Sequence, residues 1–536
     1  MLLKELFQRK LFYLFAFGFL IRLVLAWLPE RYFYYLISDD AYYYFSIARN
    51  LVSRGMLSAD GITLTNGFHP LWLFVITPIF FFFQKHPWFS IHLVLTVSAV
   101  FDTLAAFLIY KTLERLGKEK TGFWAAAFYL VNPWGLLHTM NGLETAQNNF
   151  FLALLVYLSV CANREWLKTS WFFFGAVCGL ALLSRTDNVF AVTILMVYLL
   201  WGTRNFLPVA KSILVALSLI SSWLVYNFIT FGTLIQTSGT AYPWHYHQQY
   251  LNEHKTYFSS ALVPFLLKMG FYNFAENAFH YGSWILALVI AGILLYRLRN
   301  WPERYRPLLW TLIATALFAA FHIFIRWSVR PWYSQAVFVM TLPLVALTLE
   351  KVNRNLIALG FIFSILAGSF WIFTATRFKL ADRSKVMMEM IYTKVPSGEV
   401  VGAFNSGYLQ YFTDRRVINL DGLANNEVLS YYKSINGLEY FRRKDIRWLI
   451  DTPAYLAGLF GSYFGSKAES SLFLIDVRAD ISYPKNNVAL VAVLPEGRVS
   501  PPGRDMPIMR DYAAQRRWGK VPLPFVRYKM EEKESF

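Results

Sequence analysis

Long apolar stretches, separated by short and mostly basic pieces, dominate the first two-thirds of the chain. They lie near residues 11–29, 71–83, 91–110, 121–137, 147–161, 170–183, 189–201, 212–228, 281–296, 308–325, 334–349 and 355–374. Runs of this length and polarity predict helices that cross a bilayer. The 71–83 stretch, L-W-L-F-V-I-T-P-I-F-F-F-F, is short and interrupted by Pro78, which suits an interfacial or re-entrant segment instead. Beyond residue 375 the pattern changes. Apolar runs shrink to strand length at Val400–Phe404, Val417–Leu420, Trp448–Ile450, Leu472–Ile475 and Val488–Leu494. Turn signals such as Asn405-Ser406-Gly407 and Pro484-Lys485-Asn486-Asn487 separate them. The expected organisation is a helical membrane domain over residues 1–374, with interfacial helices in the loop 30–90, followed by a small extracytoplasmic α/β domain over 375–536.

Composition agrees with a polytopic membrane protein. Of 536 residues, 56% are hydrophobic and only 16% charged, more apolar surface than a soluble fold of this size hides. The net charge of +18 does not point to nucleic acid, because the basic residues cluster between apolar segments. That is the pattern of cytoplasmic loops facing anionic lipid. Leaving 71–83 out of the spans puts Lys111–Lys120, Arg164, Lys168, Arg204, Lys211, Arg297–Arg306, Lys351 and Arg354 on one side. About eleven spans follow, with the N-terminus inside and the C-terminus outside. Lys4, Arg9 and Lys10 precede an apolar stretch that runs to Leu28 without a small-residue cleavage pattern, so it is read as a retained first span. Cys161 and Cys178 both fall in apolar segments, which leaves no disulfide framework and no cysteine metal site.

Against this background, S-D-D-A-Y-Y-Y-F-S-I-A-R-N-L-V-S-R-G at 38–55 is the chemically unusual stretch. Asp39 and Asp40 follow the first span directly. Ser38 or Asp39 caps the start of a short helix that Gly55 terminates, and Ala41, Tyr44, Phe45, Ala48, Leu51 and Val52 fall on one side of it. This predicts an amphipathic helix lying at a membrane surface. Two adjacent acids, one of them partly desolvated, supply a general base with a raised pKa, or else simply cap and solvate the helix start.

The predicted topology gathers further polar groups at the same outer face. Arg185 and Asp187, in L-L-S-R-T-D-N-V-F, form either a self-satisfying pair in a turn or a phosphate grip, since an arginine fork matches phosphate oxygens. Arg326 and Arg330, in R-W-S-V-R-P-W-Y, either join that grip or snorkel to the interface. Asn141 and Glu144, in N-G-L-E-T, offer a helix-terminal charge or contacts to sugar hydroxyls. His69, in N-G-F-H-P-L-W, is a structural imidazole or a phosphate hydrogen-bond donor. Tyr43, with Tyr42, Tyr242, Trp244, Tyr246, Trp332 and Tyr333, lines a sugar site or anchors the interface. His245 and His247 lack a third ligand at recognisable spacing, so no metal is expected, and no cofactor motif of the phosphate-loop or dinucleotide type is present.

A first span followed by D-D, a helix of the Y-x-x-x-A-R-x-L type and an H-P-L-W segment resembles the GT-C superfamily of membrane glycosyltransferases. Its members include protein O-mannosyltransferases, aminoarabinose transferases, oligosaccharyltransferases and mycobacterial arabinofuranosyltransferases. N-G-L-E-T at 141–145, L-S-R-T-D-N at 183–188, Y-N-F-I-T-F-G at 226–232 and V-G-A-F-N-S-G-Y-L-Q-Y-F…R-R-V-I-N-L-D-G-L-A-N-N at 401–426 also resemble bacterial members. The resemblance implies a GT-C fold in a bacterial cytoplasmic membrane and a sugar donor carried on polyprenyl phosphate or diphosphate. It further implies transfer with inversion, at the outer face, to a glycan, lipid or protein acceptor of the cell envelope. The first acid of the pair, Asp39, would be the base, with Asp40 as its neighbour, and Arg185 would hold the leaving phosphate. Some families carry Lys before the Pro, where this chain has His69. A secondary transporter would place its charges near the bilayer midplane and show internal repeats, which are not seen here. A non-catalytic component that binds or assembles lipid-linked glycan is the other alternative, and it would tolerate loss of the acids.

Overall fold

The computed structural model describes residues 2–162, 164–204, 206–272, 274, 292, 301–327, 330–350, 352–377, 381–453, 455–456, 461–478 and 487–494. Within them the chain is a bundle of helices carrying a small sheet domain at one end. Helices Pro87–Arg115, Glu165–Ser184, Phe206–Phe231, Glu303–Arg326 and Pro331–Leu349 are long and apolar enough to cross a membrane. Of the predicted segment 281–296, all but residue 292 lies outside the described residues. The 71–83 stretch forms a helix of 14 residues, Pro70–Phe83, about 21 Å long and short of the hydrocarbon thickness.

The segment 121–137, expected as one helix, is two. Glu119–Val131 ends at Asn132, and Pro133–Thr139 starts anew. Proline disfavours helical backbone at the residue before it, and Asn132 is extended, its Oδ1 capping the new helix by accepting the Gly135 N–H at 3.0 Å.

Polar pairs tie the bundle together at both depths. Lys118, after the Pro87–Arg115 helix, meets Glu350, after Ser334–Leu349, at 2.8 Å. At the other end of the same long helix the Pro87 carbonyl accepts the Tyr411 hydroxyl of the sheet domain at 3.0 Å. Between these ends lies a fully buried ion pair. Arg22 in the first helix donates Nε to Asp102 at 2.6 Å and Nη1 to the Gly18 and Leu130 carbonyls. The Asp102 carboxylate also accepts the Tyr129 and Thr139 hydroxyls. An arginine on an apolar helix needs such a partner inside the bundle.

The sheet domain follows helix Ala381–Lys394. Strands β1 (Val400–Ala403), β2 (Arg416–Asn419), β3 (Ile446–Asp451), β4 (Leu472–Arg478) and β5 (Val488–Val493) lie in the order β2-β1-β3-β5-β4. β2, β1 and β3 run parallel; β3, β5 and β4 run antiparallel. β1 and β5 are buried along their whole length, as expected of strands covered on both faces. The carboxyl ends of the three parallel strands face the bundle, which is where open α/β sheets present functional loops.

The helix that begins at the acid pair sits in this junction. It spans Asp39–Arg54, with Ser38 as N-cap and Gly55 left-handed at φ 68°. The polar side expected of an amphipathic helix is not open to water here. Ala41 through Ala48 are all buried, because the sheet domain's helix Gly407–Phe412 covers the side that would have faced water. Tyr42 packs on Tyr408, Tyr411 and Phe412 in that contact.

Candidate active site

The acid helix is fixed at its start by the N-G-L-E-T turn. Ser38 donates its N–H to the Asn141 carbonyl at 3.2 Å, and the Asn141 side chain accepts the Leu143 N–H at 3.0 Å. Gly142 adopts φ +81°, and a Cβ there would sit 3.0 Å from both Ala41 Cβ and the Phe45 ring. Only glycine allows that backbone at that distance. Trp72 of H-P-L-W closes the group by donating Nε1 to the Gly142 carbonyl at 3.1 Å.

Adjacent helix positions point about 100° apart, and the two acids have different surroundings. Asp39 accepts the Tyr408 N–H on Oδ1 at 3.0 Å and the Gly407 N–H on Oδ2 at 3.1 Å. Burial raises its pKa against those two bonds and the nearby Arg383. Among the described residues, no hydrogen bond reaches the Asp40 carboxylate. Burial pushes it up to about 6, Arg330 opposes this, and the charges of Asp39 and Glu144 add to it. A carboxyl poised there is ionised at neutral pH and still basic enough to take a proton. Tyr43, the neighbouring tyrosine, is fully used by the sheet domain. Its hydroxyl lies 3.2 Å from the Phe404 carbonyl and accepts from the Ser406 N–H and the Asn419 side chain.

Arg185, Glu144 and Asp187 come together as one buried cluster. Arg185 donates Nη1 to Glu144 at 2.5 Å, and Nε and Nη2 to the two oxygens of Asp187 at 3.0 and 2.7 Å. The Tyr44 hydroxyl donates to Glu144 at 3.0 Å and accepts the His69 N–H at 2.9 Å. The His69 ring lies 3.0 Å from the Gln236 amide and 3.7 Å from Glu144. Burial lowers its pKa to about 4, so the ring is neutral near pH 7 despite the Glu144 charge. His322, absent from the sequence reading, approaches Asp187 at 3.4 Å.

Arg326 and Arg330 are placed differently. Arg326 lies over the Tyr333 ring at 5.5 Å, on which Arg185 also stacks at 4.2 Å; Arg330 lies over the Tyr242 ring at 4.8 Å. Among the described residues neither guanidinium donates a hydrogen bond, and the buried Arg326 Nε has no partner. Arg330 acts on Asp40, and Arg326 on His69 and His322.

The sheet domain supplies residues that sequence reading did not single out. Asp421, after β2, is buried beside Asp40 and Asp39; burial holds it well above the usual carboxyl range, with the Leu423 N–H opposing. The D-G-L sequence was the available signal. The carbonyl of Asp421 accepts from His245 Nε2 at 3.2 Å, whereas His247 stacks on Trp327 at 3.8 Å, so the two histidines serve separate contacts. Among the described residues no group of three or more His, Cys, Asp or Glu side chains is placed to hold a metal. An asparagine seam joins the halves of the site. Asn66 Oδ1 accepts from Asn426 at 2.7 Å and from the Thr237 N–H at 3.0 Å, and Asn66 Nδ2 donates to Asn227 at 3.2 Å. A cavity of about 220 Å³ opens beside Asp39, walled by Tyr35, His138, Asn141, Trp332, Arg383 and Tyr408 among others.

Comparison with known proteins bears on this arrangement. Residues 69–226 match the family model described as dolichyl-phosphate-mannose-protein mannosyltransferase, and residues 374–508 match that of a domain of unknown function. No curated protein sequence matches the chain. The structure is similar to ArnT from Cupriavidus metallidurans in the apo state, with a TM-score of 0.56 and 13% identity over 90% of this chain and 98% of that one. It is also similar to the Archaeoglobus fulgidus oligosaccharyltransferase in complex with Zn and sulfate, with a TM-score of 0.54 and 13% identity over 87% of this chain and 72% of that one. The same enzyme tethered to an acceptor peptide containing the NVT sequon gives a TM-score of 0.53 at 12% identity, over 89% and 75%. At these identities the likeness is one of fold. The resemblance to the GT-C superfamily of membrane glycosyltransferases holds, and the protein is a multi-pass membrane protein with that fold.

Proposed function

We propose that this protein is an inverting glycosyltransferase that moves a sugar from a polyprenyl-phosphate or diphosphate donor to a cell-envelope acceptor, at the outer face of a bacterial cytoplasmic membrane. The observation that carries the reading is the Asp40 carboxylate in the field of Arg330, neither of them hydrogen-bonded among the described residues, with Arg326 over the Tyr333 ring and its Nε without a partner there. The family match named for a dolichyl-phosphate sugar supports a lipid-phosphate donor.

In this mechanism Arg326 and Arg330 bind the donor phosphate. Asp40 takes the proton of the acceptor hydroxyl as its oxygen bonds to the anomeric carbon. The bond from that carbon to the phosphate oxygen breaks, and its electron pair leaves with the phosphate. The two arginines stabilise the departing charge in surroundings where water is scarce. A phosphate leaves readily, so one carboxylate is enough. The resemblance assigns the base to Asp39. Its engagement with two backbone N–H groups favours Asp40 instead. Arg185, which spends three of its five N–H donors on two carboxylates, acts here as scaffold rather than phosphate ligand.

The test is transfer of radiolabel from a panel of polyprenyl-phosphate and diphosphate sugars in membranes holding wild type or Asp40→Asn. Transfer by wild type that disappears in the variant identifies donor and base together. Turnover that survives Asp40→Asn refutes the assignment.

A further inference from the structure

We infer that the cavity beside Asp39 seats the acceptor, and that Arg383 in its wall selects an acceptor carrying an acidic group, a carboxylate or a phosphate. This deepens the proposed function and rests on its placing the donor phosphate on the Arg330 side of the acid pair.

The cavity, about 220 Å³, lies where the bundle meets the sheet domain. Helix Ala381–Lys394 leads from the last helix of the bundle, Arg354–Arg377, into β1. Arg383 stands in its first turn, Asp39 stands in the first turn of the acid helix, and both line the cavity. Among the described residues the buried Arg383 Nε has no hydrogen-bond partner. The charge of Arg383 acts on Asp39, yet the Asp39 oxygens accept the Gly407 and Tyr408 N–H groups and not the guanidinium. Leaving a charged donor unmade in a shielded place is costly, and an anion entering the cavity offsets that cost.

A second donor lies in the same wall. Asn141 is 3% exposed; its Oδ1 accepts the Leu143 N–H, and among the described residues its Nδ2 has no partner. Tyr35, Trp332 and Tyr408 add rings to the lining. Apolar walls with a few directed polar groups make a small-molecule site. A sugar ring, with its C–H faces and hydroxyl edge, fits such walls. Each Asp39 oxygen keeps a second lone pair for a sugar hydroxyl, so the seat brings an acceptor hydroxyl to the acid pair itself.

Charge decides which substrate belongs here. Arg330 acts on Asp40 and Arg383 on Asp39, so one cation flanks each acid. A donor phosphate on Arg330 leaves Arg383 to the other substrate. A neutral acceptor would leave the Arg383 Nε unpaired. A carboxylate or phosphate matches the guanidinium fork and takes two parallel bonds from it.

The test titrates the full-length protein in detergent with glucose, glucuronate, a glucose phosphate and undecaprenyl phosphate, each followed by saturation-transfer NMR. Wild type should bind glucuronate or the glucose phosphate about tenfold to a hundredfold more tightly than glucose. Arg383→Met should bring the acidic sugars down to the glucose level while leaving glucose and undecaprenyl phosphate unchanged, which also shows that the variant is folded. Arg383→Lys keeps the charge without the fork and should fall between the two. Equal binding of acidic and neutral sugars by wild type, or binding of none of them, overturns the inference. So does an Arg383→Met variant that binds the acidic sugars as wild type does. A loss of undecaprenyl phosphate in Arg383→Met as large as in Arg330→Gln would put the donor phosphate on Arg383 and overturn the acceptor assignment. Undecaprenyl phosphate affinity unmoved by Arg330→Gln would fail the donor reading by itself, and the sugar titrations still decide the role of Arg383.

Discussion

Replacing Arg185 by methionine separates a scaffold arginine from a phosphate ligand. The side chain is 4% exposed and holds two carboxylates, Glu144 and Asp187, through three hydrogen bonds of 2.5 to 3.0 Å. Taking it away leaves two buried acids without their cation, with only Tyr44 on Glu144 and His322 near Asp187, and breaking such a cluster costs about 3–5 kcal/mol. That is a large part of the stability of an ordinary domain, so Arg185→Met alone should inactivate at markedly lower temperature. The triple variant Glu144→Gln, Arg185→Met, Asp187→Asn removes the whole charge cluster and should recover most of the loss, since replacing a buried ion group entirely is close to neutral. Donor affinity then discriminates. A guanidinium that binds phosphate contributes about 1.5–3 kcal/mol. On the present reading Arg330→Gln raises the donor KM about tenfold to a hundredfold, while the triple variant stays near wild type. The assay is half-inactivation temperature in detergent, together with donor KM measured well above pH 6, because losing the Glu144 charge lowers the pKa of Asp40. A triple variant as stable as wild type whose donor KM rises as far as that of Arg330→Gln would refute the scaffold role.

Two other outcomes follow from the same geometry. The ionised form of Asp40 is the active one, so kcat/KM should be flat above its pKa of about 6 and fall about tenfold per pH unit below it. Arg330→Gln should push that limb higher, because Arg330 holds the pKa down; a pH profile of both proteins checks this, and an unmoved limb would remove Asp40 from the role. In the bundle, Arg22→Leu should destabilise by about 3–5 kcal/mol through the stranded Asp102 carboxylate. Arg22→Leu with Asp102→Asn should regain much of it, the amide oxygen accepting from the Tyr129 hydroxyl and its NH2 donating to the Thr139 hydroxyl, as thermal inactivation of single and double variants would show.

Elements set by local chemistry were legible in the sequence. The acid helix starts after Ser38 and stops at Gly55 as the local residues indicate; Gly55 acts on the last turn, while the Ser38 side chain makes no capping hydrogen bond. The five strands lie where short β-branched runs and turn residues placed them, since that pattern is a property of the segment. Pro133, inside an otherwise apolar run, carried a break that hydropathy averaged away, although the Asn132-Pro133 pair was a readable signal. Arg22 was hidden in the same way. One charge scarcely lowers the hydropathy of a long segment, and its partner Asp102 lies 80 residues on.

The partners inside the site were much less legible, because charge pairing across a junction is a tertiary fact. Sequence spacing left Arg185 open between a paired turn and a phosphate grip; the nearby Asp187 was the local hint, and the second carboxylate on it, Glu144, lies 41 residues away. Arg326 and Arg330 had no local hint of either role, and only the rings of Tyr333 and Tyr242 beneath them show donors left unspent. The acid helix reads as amphipathic in isolation because Tyr42, Tyr43 and Arg49 are the residues a water-facing side would carry. Tyr43 and Arg49 instead bond the backbone of the sheet domain, and Tyr42 packs on its rings. A helix that must bind a polar backbone and a helix that must face water call for the same residues. Periodicity alone therefore cannot separate them, and the discriminating signal lay some 370 residues away, in the glycine of Asn405-Ser406-Gly407 that lets Asp39 reach the two amides.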